Sequence, residues 1–438
     1  MQIVGTYGAR YENAIDLSAL RGAHQPQYAA RTEIAVDGNT AAAIPFLQWW
    51  RAPIMAGFPI TPSTKWLEHL AAVVGAGKCG KAKRVKLLEA EHAAADYLVG
   101  MAGSCRELIA GTATSSVGLD HMTETVRSLG ASGLGNVMIV NVCRATANYP
   151  LCIEGDPSDH FAHRDDGFIQ VMCRGKQQIY DTILQLPAVG MNPRVLTPTM
   201  PGFFGIKDSH RSGKLVVEPD EAVNSFLDEA LASTEPTPPG LLDGDTSMGS
   251  CVTSAYFQGF KVGQKARLQA ALDVIPRVAG LFEKRFGRRG IELFEQFAME
   301  DAEVALVCLG PDAGTAVQQL PRMRDELKAR VGLIVLRVLT PFPSVALARA
   351  LRKVNAVGVV QHAYHHGRGH IALDLADALA ESGRLLPTES FFCGLGGADV
   401  SPSTWREMAR LTVSCAMRGK PSRRWHLLHE GHELSEEN

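Results

Sequence analysis

Two apolar patterns alternate along this chain: short runs of strand length, and longer stretches with apolar positions every three or four residues, the mark of a helix. From Asp37 to about Asp228 a helical stretch, Gly38 to Trp50, precedes strand-like runs at Pro53 to Phe58, Val85 to Leu88, Leu108 to Thr114 and Val137 to Val142, with helical patterns between. The C-terminal third repeats the alternation. Glu303 to Leu309, Val331 to Arg337, Ala356 to Gln361 and Ser390 to Leu395 are strand-like, each followed by an amphipathic helix. Strands alternating with helices build parallel sheets with helices on their faces. The expected fold class is therefore α/β, with two open parallel-sheet domains. Between them, Ser233 to Gly249 is rich in Pro, Gly, Thr and Asp and marks a boundary, and Lys261 to Glu300 reads as a charged helical connector. Thr340-Pro341-Phe342-Pro343 stops one strand and opens the next helix near Ser344. The division that follows is an N-terminal arm without clear period (1–36), a first sheet domain (37–240), a linker and helical connector (241–300), a second sheet domain (301–425) and a polar tail (426–438).

Composition narrows the classes. With 46% hydrophobic residues the chain can bury sizeable cores, and 44 basic against 46 acidic residues leave no net field to attract nucleic acid or an anionic membrane. The opening Met1-Gln2-Ile3-Val4-Gly5 lacks a basic start before an apolar core, and no apolar run approaches the roughly 18 residues of a membrane span. A cytoplasmic protein is expected. Nine cysteines, scattered without a Cys-x-x-Cys pair, argue for reduced thiols and against an iron–sulfur cluster held within this chain.

Two segments carry candidate chemistry. The apolar run Ala52 to Ile60 ends at Thr61, with Pro62 where a first helical residue would sit, which predicts a helix capped by Thr61. Ser63 and Thr64 then place N–H and hydroxyl groups beside the positive end of the helix dipole, a favourable place for a small carboxylate. An ordinary capped helix is the competing reading. The second segment follows a short strand, Arg84 to Leu88: Glu89-Ala90-Glu91 leads into a helix crowded with Ala and Gly, His92 to Gly103. Small residues let another backbone approach closely, so an acid in that first turn is expected to be partly buried and to need a partner. A structural salt bridge or a helix N-terminus contact competes with a functional role.

Further short motifs follow in order: Gly38-Asn39-Thr40-Ala41-Ala42-Ala43, Phe58-Pro59-Ile60-Thr61-Pro62-Ser63-Thr64, Glu89-Ala90-Glu91-His92-Ala93-Ala94, Thr112-Ala113-Thr114-Ser115-Ser116-Val117-Gly118-Leu119 with Met122 and Glu124, Asn141-Val142-Cys143-Arg144, and Gly155-Asp156 before Asp159. In that order and spacing, over roughly Asp37 to Ala380, the chain resembles the alpha subunit of the 2-oxoacid:acceptor oxidoreductases, the pyruvate:ferredoxin oxidoreductase family. The resemblance implies a thiamine diphosphate pyrimidine-binding (PYR) domain in the first half. In the second it implies a transketolase C-terminal-like domain, whose Arg-x-x-x-Pro-Phe-Pro turn is here Arg337 to Pro343. It implies that Glu91, the second acid of its motif, hydrogen-bonds the pyrimidine ring of thiamine diphosphate and favours the imino form that takes the C2 proton, with Pro59 and Ile60 also at the cofactor. Thr61 is implied to hydrogen-bond the 2-oxoacid carboxylate, and Arg144 to help hold it, as a planar guanidinium can with two parallel bonds. A salt bridge to Asp156 or Asp159 is the competing reading for Arg144. Asn39 is expected to cap the first helix.

The implied reaction is coenzyme A-dependent oxidative decarboxylation of a 2-oxoacid to acyl-CoA and CO2. Pyruvate is the default substrate, an arylglyoxylate such as phenylglyoxylate or 2-oxoglutarate stays open, and electrons go to ferredoxin or NAD. No Gly-Asp-Gly followed downstream by paired Asn occurs, and Gly244-Asp245-Thr246 is only a near miss. The resemblance therefore assigns Mg2+ and the diphosphate to a beta subunit with the diphosphate-binding domain and a 4Fe-4S cluster. Gamma and ferredoxin-like subunits join it in a dimer of hetero-oligomers, and iron–sulfur clusters lie only in those partners. This chain alone is expected to be inactive. Ser115-Ser116-Val117-Gly118 replaces the frequent Ser-Gly-Pro-Gly of relatives, and Ala145 to Tyr149 replaces Gly-Pro-Ser-Thr-Gly, so the substrate side is expected to differ. A transketolase-like or non-oxidative thiamine-dependent decarboxylase subunit is the alternative function, and a scaffold that lost its chemistry is a third. Two histidine clusters, His362, His365, His366 and His370, and His426, His429 and His432 with Glu430 and Glu433, fit no closed zinc spacing, so no metal site is expected. The second is expected to stay solvated in the tail.

Overall fold

The computed structural model describes residues 15–146, 149–232, 249, 251–364, 366–430 and 432–433. Two seven-stranded sheets organise them. In the first, the strand order is Val338–Thr340, Ile169–Met172, Thr199–Phe204, Val137–Cys143, Ala110–Thr114, Ile54–Gly57 and Arg84–Leu87. All pairs are parallel except that between Val338–Thr340 and Ile169–Met172. The central strands Ala110–Thr114, Val137–Cys143 and Thr199–Phe204 are buried at every position, as strands covered by helices on both faces must be. Parallel strands bring their carboxyl ends to one edge, and there the loops after Gly57, Thr114 and Cys143 converge. Such an edge is where open α/β sheets bind ligands.

The second sheet runs His432–Glu433, His426–His429, Thr388–Phe392, Ala356–Gln361, Val304–Cys308, Val331–Leu336 and Phe294–Phe297, parallel except at its two outermost pairs. The helices Ala313–Leu327, Ser344–Ala350, His370–Glu381 and Pro402–Arg418 follow its inner strands. The chain is thus α/β with two largely parallel sheets.

Several elements depart from the sequence reading. The helix expected to begin at Pro62 under a Thr61 cap begins at Thr64, with Ser63 at its N-cap and no side-chain cap bond, because residues 61–63 form a turn first. Lys261 to Glu300 is no mere connector. A helix of 33 residues, Ser254–Phe286, buries Val274, Ile275, Val278 and Phe282 in the first core, and Phe294–Phe297 becomes an edge strand of the second sheet. The polar tail is corrected as well: His426–His429 is a strand beside Thr388–Phe392, since Glu389 is wholly buried and His426 lies 3.1 Å from its Oε2. The expected boundary Ser233 to Gly249 lies outside the described residues except for Gly249, and Gly244-Asp245-Thr246 lies outside them too. In the expected arm, Thr32–Val36 pairs antiparallel with Gly213–Val217, and Asp220 accepts the backbone N–H of Gln27 (2.7 Å) and Tyr28 (3.2 Å).

Candidate active site

Glu91 is the first residue of the helix Glu91–Ser104, entered three residues after the strand Arg84–Leu87 ends. The small residues of this helix do what their size allows: Ala95 and Ala102 seat it in one core cluster with Ala56 and Ala110 of the strands beneath. That close seating draws the first turn down onto the sheet edge. Glu91 is 7% exposed, whereas Glu89 is exposed, so only the second acid of the pair is buried. Its carboxyl Oε2 lies 3.1 Å from His121 Nδ1, and the imidazole itself is 63% exposed. The neighbouring Gly118 leaves room for the acid, since a Cβ there would stand 2.9 Å from Glu91 Oε1 and 2.6 Å from Thr114 Oγ1.

Across the edge, Arg144 directly follows the strand Val137–Cys143 and is 5% exposed. Its Nη1 donates to the Thr61 carbonyl at 2.8 Å, and its backbone N–H donates to Asp159 Oδ2 at 3.0 Å. The salt bridge weighed against a functional role does not form: Asp159 takes the backbone N–H, and Asp156 accepts from Ser158 and Gly396. Thr61 and Pro59 are exposed and Ile60 half-buried. Asn39 Nδ2 donates to the Pro62 carbonyl (2.8 Å), so this residue pins the Thr61 turn, while the cap of its own helix is Asp37. Thr61, Pro59, Ile60 and Arg144 thus sit on loops, and Glu91 on a helix's first turn, at the carboxyl ends of strands of the first sheet, with Ala110–Thr114 between the strand before Arg144 and the one before Pro59.

The sequence reading gives His121 no role, and it names Asp159 only at the end of the Gly155-Asp156 motif and as an ion-pair partner for Arg144. Both lie within or just beyond the motifs quoted, but their contacts span 30 and 43 residues. Periodicity carries no signal at that range.

The polar inventory around the edge suits a heteroaromatic ring with an anionic substrate. The buried oxygens Thr112 Oγ1, Thr114 Oγ1 and Ser115 Oγ and the buried Arg144 Nε have no hydrogen-bond partner among the described residues. Buried polar groups of that kind call for a partner. Elsewhere, in a cavity of about 260 Å3 between the helix Gly175–Gly190 and residues 288–295, Arg288 pairs with Asp181 and Arg337 with Thr182. In the first histidine cluster His362 Nδ1 faces the Cys393 carbonyl at 3.1 Å and His370 stacks on Phe161, while His366 is exposed. His365 lies outside the described residues. Among those residues no group of three or more His, Cys, Asp or Glu could hold a metal ion, and no helix is long and apolar enough to cross a membrane.

Residues 50–275 match the family model described as pyruvate flavodoxin/ferredoxin oxidoreductase, thiamine diphosphate-binding. Residues 302–405 match pyruvate:ferredoxin oxidoreductase core domain II. The pyruvate synthase subunit PorA of Methanothermobacter thermautotrophicus is 31% identical over 357 residues, 81% of this chain and 89% of its own. The NADH-dependent phenylglyoxylate dehydrogenase subunit alpha of Aromatoleum evansii is 28% identical over 374 residues, 84% of this chain and 88% of its own. A solved 2-oxoglutarate:ferredoxin oxidoreductase from Magnetococcus marinus, with 2-oxoglutarate, coenzyme A and succinyl-CoA bound, shares the fold with a TM-score of 0.63 at 16% identity, over 88% of this chain and 65% of that one. A model matched over more than half of the residues, and a 31% identical relative covering most of the chain, place it in the pyruvate:ferredoxin oxidoreductase family, as an alpha subunit.

Proposed function

We propose that this chain is the alpha subunit of a multi-subunit thiamine diphosphate- and iron–sulfur-dependent 2-oxoacid oxidoreductase, which oxidatively decarboxylates a 2-oxoacid with coenzyme A to acyl-CoA and CO2. The observation that carries the reading is the buried Glu91 carboxyl at a helix N-terminus, facing a sheet edge on which Arg144 and Thr61 are already joined. Thiamine diphosphate, when bound, supplies the carbanion chemistry at the 2-oxo carbon. Glu91 then holds the pyrimidine ring by one hydrogen bond in a place where little water competes. Pro59 and Ile60 form the wall beside that ring, and Thr61 with the Arg144 guanidinium orients the carboxylate that departs as CO2.

This chain presents half a site. Thr61 and Pro59 are exposed, which fits a face covered by a beta subunit that grips Mg2+ and the diphosphate, with the iron–sulfur clusters and the ferredoxin or NAD step in partner subunits. The PorA relative supports pyruvate as the first substrate to test. The phenylglyoxylate dehydrogenase relative, together with the altered segments Ser115 to Gly118 and Ala145 to Tyr149, keeps an arylglyoxylate or 2-oxoglutarate in the panel. The test is to purify the chain with its co-purifying subunits and assay a panel of 2-oxoacids with coenzyme A and a viologen dye. Coenzyme A-dependent dye reduction is expected from the complex and none from the isolated chain. Decarboxylation without coenzyme A or dye reduction would point to the non-oxidative alternative and defeat the proposal.

A further inference from the structure

The two halves of the candidate site are joined by one side chain. Asp159 is fully buried; its Oδ2 accepts from the backbone N–H of Ser116 (2.8 Å) and of Arg144 (3.0 Å), and its Oδ1 accepts from His160 N–H (2.6 Å). Ser116 opens the turn that sets Gly118 against the Glu91 carboxyl, and Arg144 carries the guanidinium that holds the Thr61 carbonyl. One oxygen therefore touches both the acid side and the carboxylate-holding side.

The backbone shows that the tie bears strain. Ser116 sits at φ 46° and ψ −121°, which a residue with a Cβ keeps only when its surroundings hold it. A carboxylate oxygen on its N–H, with its hydroxyl bonded to the Ala145 carbonyl (3.1 Å), is such a hold. The same segment is anchored from behind. Asp156 Oδ2 accepts from Gly396 N–H of the second sheet's loops (2.8 Å), and Ser158 Oγ accepts from Thr146 N–H (3.0 Å). Gly155 is pressed on Gly205, where a Cβ would stand 2.3 Å from the backbone nitrogen.

We infer, resting on the function proposed above, that Asp159 is a positioning residue that fixes the distance between the acid Glu91 and the carboxylate clamp of Arg144 and Thr61. It touches neither substrate nor cofactor and acts through the two backbone segments it joins. Clamp groups displaced by about 1 Å cost on the order of 10² in rate. In the assembled complex, Asp159→Ala is expected to raise the 2-oxoacid KM about tenfold or more. Asp159→Asn, which keeps one oxygen for Ser116 and Arg144, is expected to bring KM back to within about threefold of wild type. In an Arg144→Ala background that residual factor of about three is expected to vanish, because the two changes act on one clamp.

An Asp159→Ala complex with wild-type KM overturns the inference, as does an Asn factor that persists unchanged beside Arg144→Ala. The second result needs only the Asn variant, so it decides the matter even where Asp159→Ala fails to assemble. Glu91→Gln, assayed alongside, separates the two levels. Lost turnover at Glu91 with an unchanged KM in both Asp159 variants sinks the positioning role alone, whereas wild-type turnover in Glu91→Gln sinks the reading of the site beneath it.

Discussion

Glu91 and Gly118 form a matched pair, an acid lowered onto a sheet edge and a residue without a side chain beside it. Glu91→Gln keeps the shape and removes the acid, so the complex is expected to assemble while turnover falls by about 10² to 10⁴, the scale of losing an acid–base group. Steady-state assays of the purified complex check this, with thermal melting to confirm the fold, and wild-type turnover would remove Glu91 from the site. Gly118→Ala asks the converse question, because it leaves the acid and alters its surroundings. The added Cβ would meet Glu91 Oε1 at 2.9 Å and Thr114 Oγ1 at 2.6 Å, closer than side chains tolerate. One or both must shift, and a drop in kcat of about tenfold or more is expected from a misplaced acid. Unchanged kcat would show that the carboxyl does not need that space.

At the scale of elements, what was legible followed period and local chemistry. The helix crowded with Ala and Gly reads from sequence because small residues mean close approach, and the structure seats that helix through Ala95 and Ala102. The carboxyl-end loops of Thr61, Glu91 and Arg144 were placed by strand patterns with motifs at their ends. The edge strand Val338–Thr340 was not legible, since three residues carry no period and its partner Ile169–Met172 lies far back in the chain. Nor was the short helix Val117–His121, whose orientation comes from His163: its Nε2 meets Asp120 at 3.1 Å and its Nδ1 meets Asp166 at 2.6 Å. Burial works to lower the His163 imidazolium, but the hydrogen bonds and charges of Asp120 and Asp166 outweigh it and raise its pKa to about 9. A pKa above the unfolded value of about 6.5 means stability that is fully present below that pH and lost as pH rises through 9. The stability advantage of wild type over His163→Gln, measured by urea unfolding, is therefore expected to shrink by on the order of 3 kcal/mol between pH 6 and pH 9.5. A pH-independent difference would mean that His163 does not carry this charge.

Over the whole molecule the two sheets are bound to each other by chain crossing between them. The strand Val331–Leu336 belongs to the second sheet, yet Val338–Thr340, two residues on, completes the first. Arg337 stands at the crossing, 3% exposed, with Nε donating to the Met172 carbonyl (2.6 Å), Nη2 to Thr182 Oγ1 (2.8 Å) and Nη1 3.8 Å from Glu295 Oε1. Glu295 in turn pairs with Arg174 and accepts from Gln178 Nε2 at 2.8 Å. Asp156 on Gly396 and Lys207 on Asp312 (3.0 Å) add further crossings on the side of the candidate site. A site whose parts hang on the first sheet is thus braced from the second, and neither sheet is expected to melt while the other stays native. Calorimetry of this chain should show one unfolding transition. Arg337→Ala removes the buried donor of the Met172 carbonyl and of Thr182 Oγ1, while Glu295 keeps Arg174 and Gln178, a loss of about 1–3 kcal/mol for buried acceptors left unsatisfied. At an unfolding entropy of about 2 cal/mol/K per residue, each kcal/mol moves the midpoint of a chain this long by about 1 °C, so the single peak is expected to fall by about 1–3 °C without splitting. Two resolved peaks in the wild type, or a variant in which only one half of the transition moves, would show that the sheets unfold independently and that the bracing from the second sheet is incidental to the site.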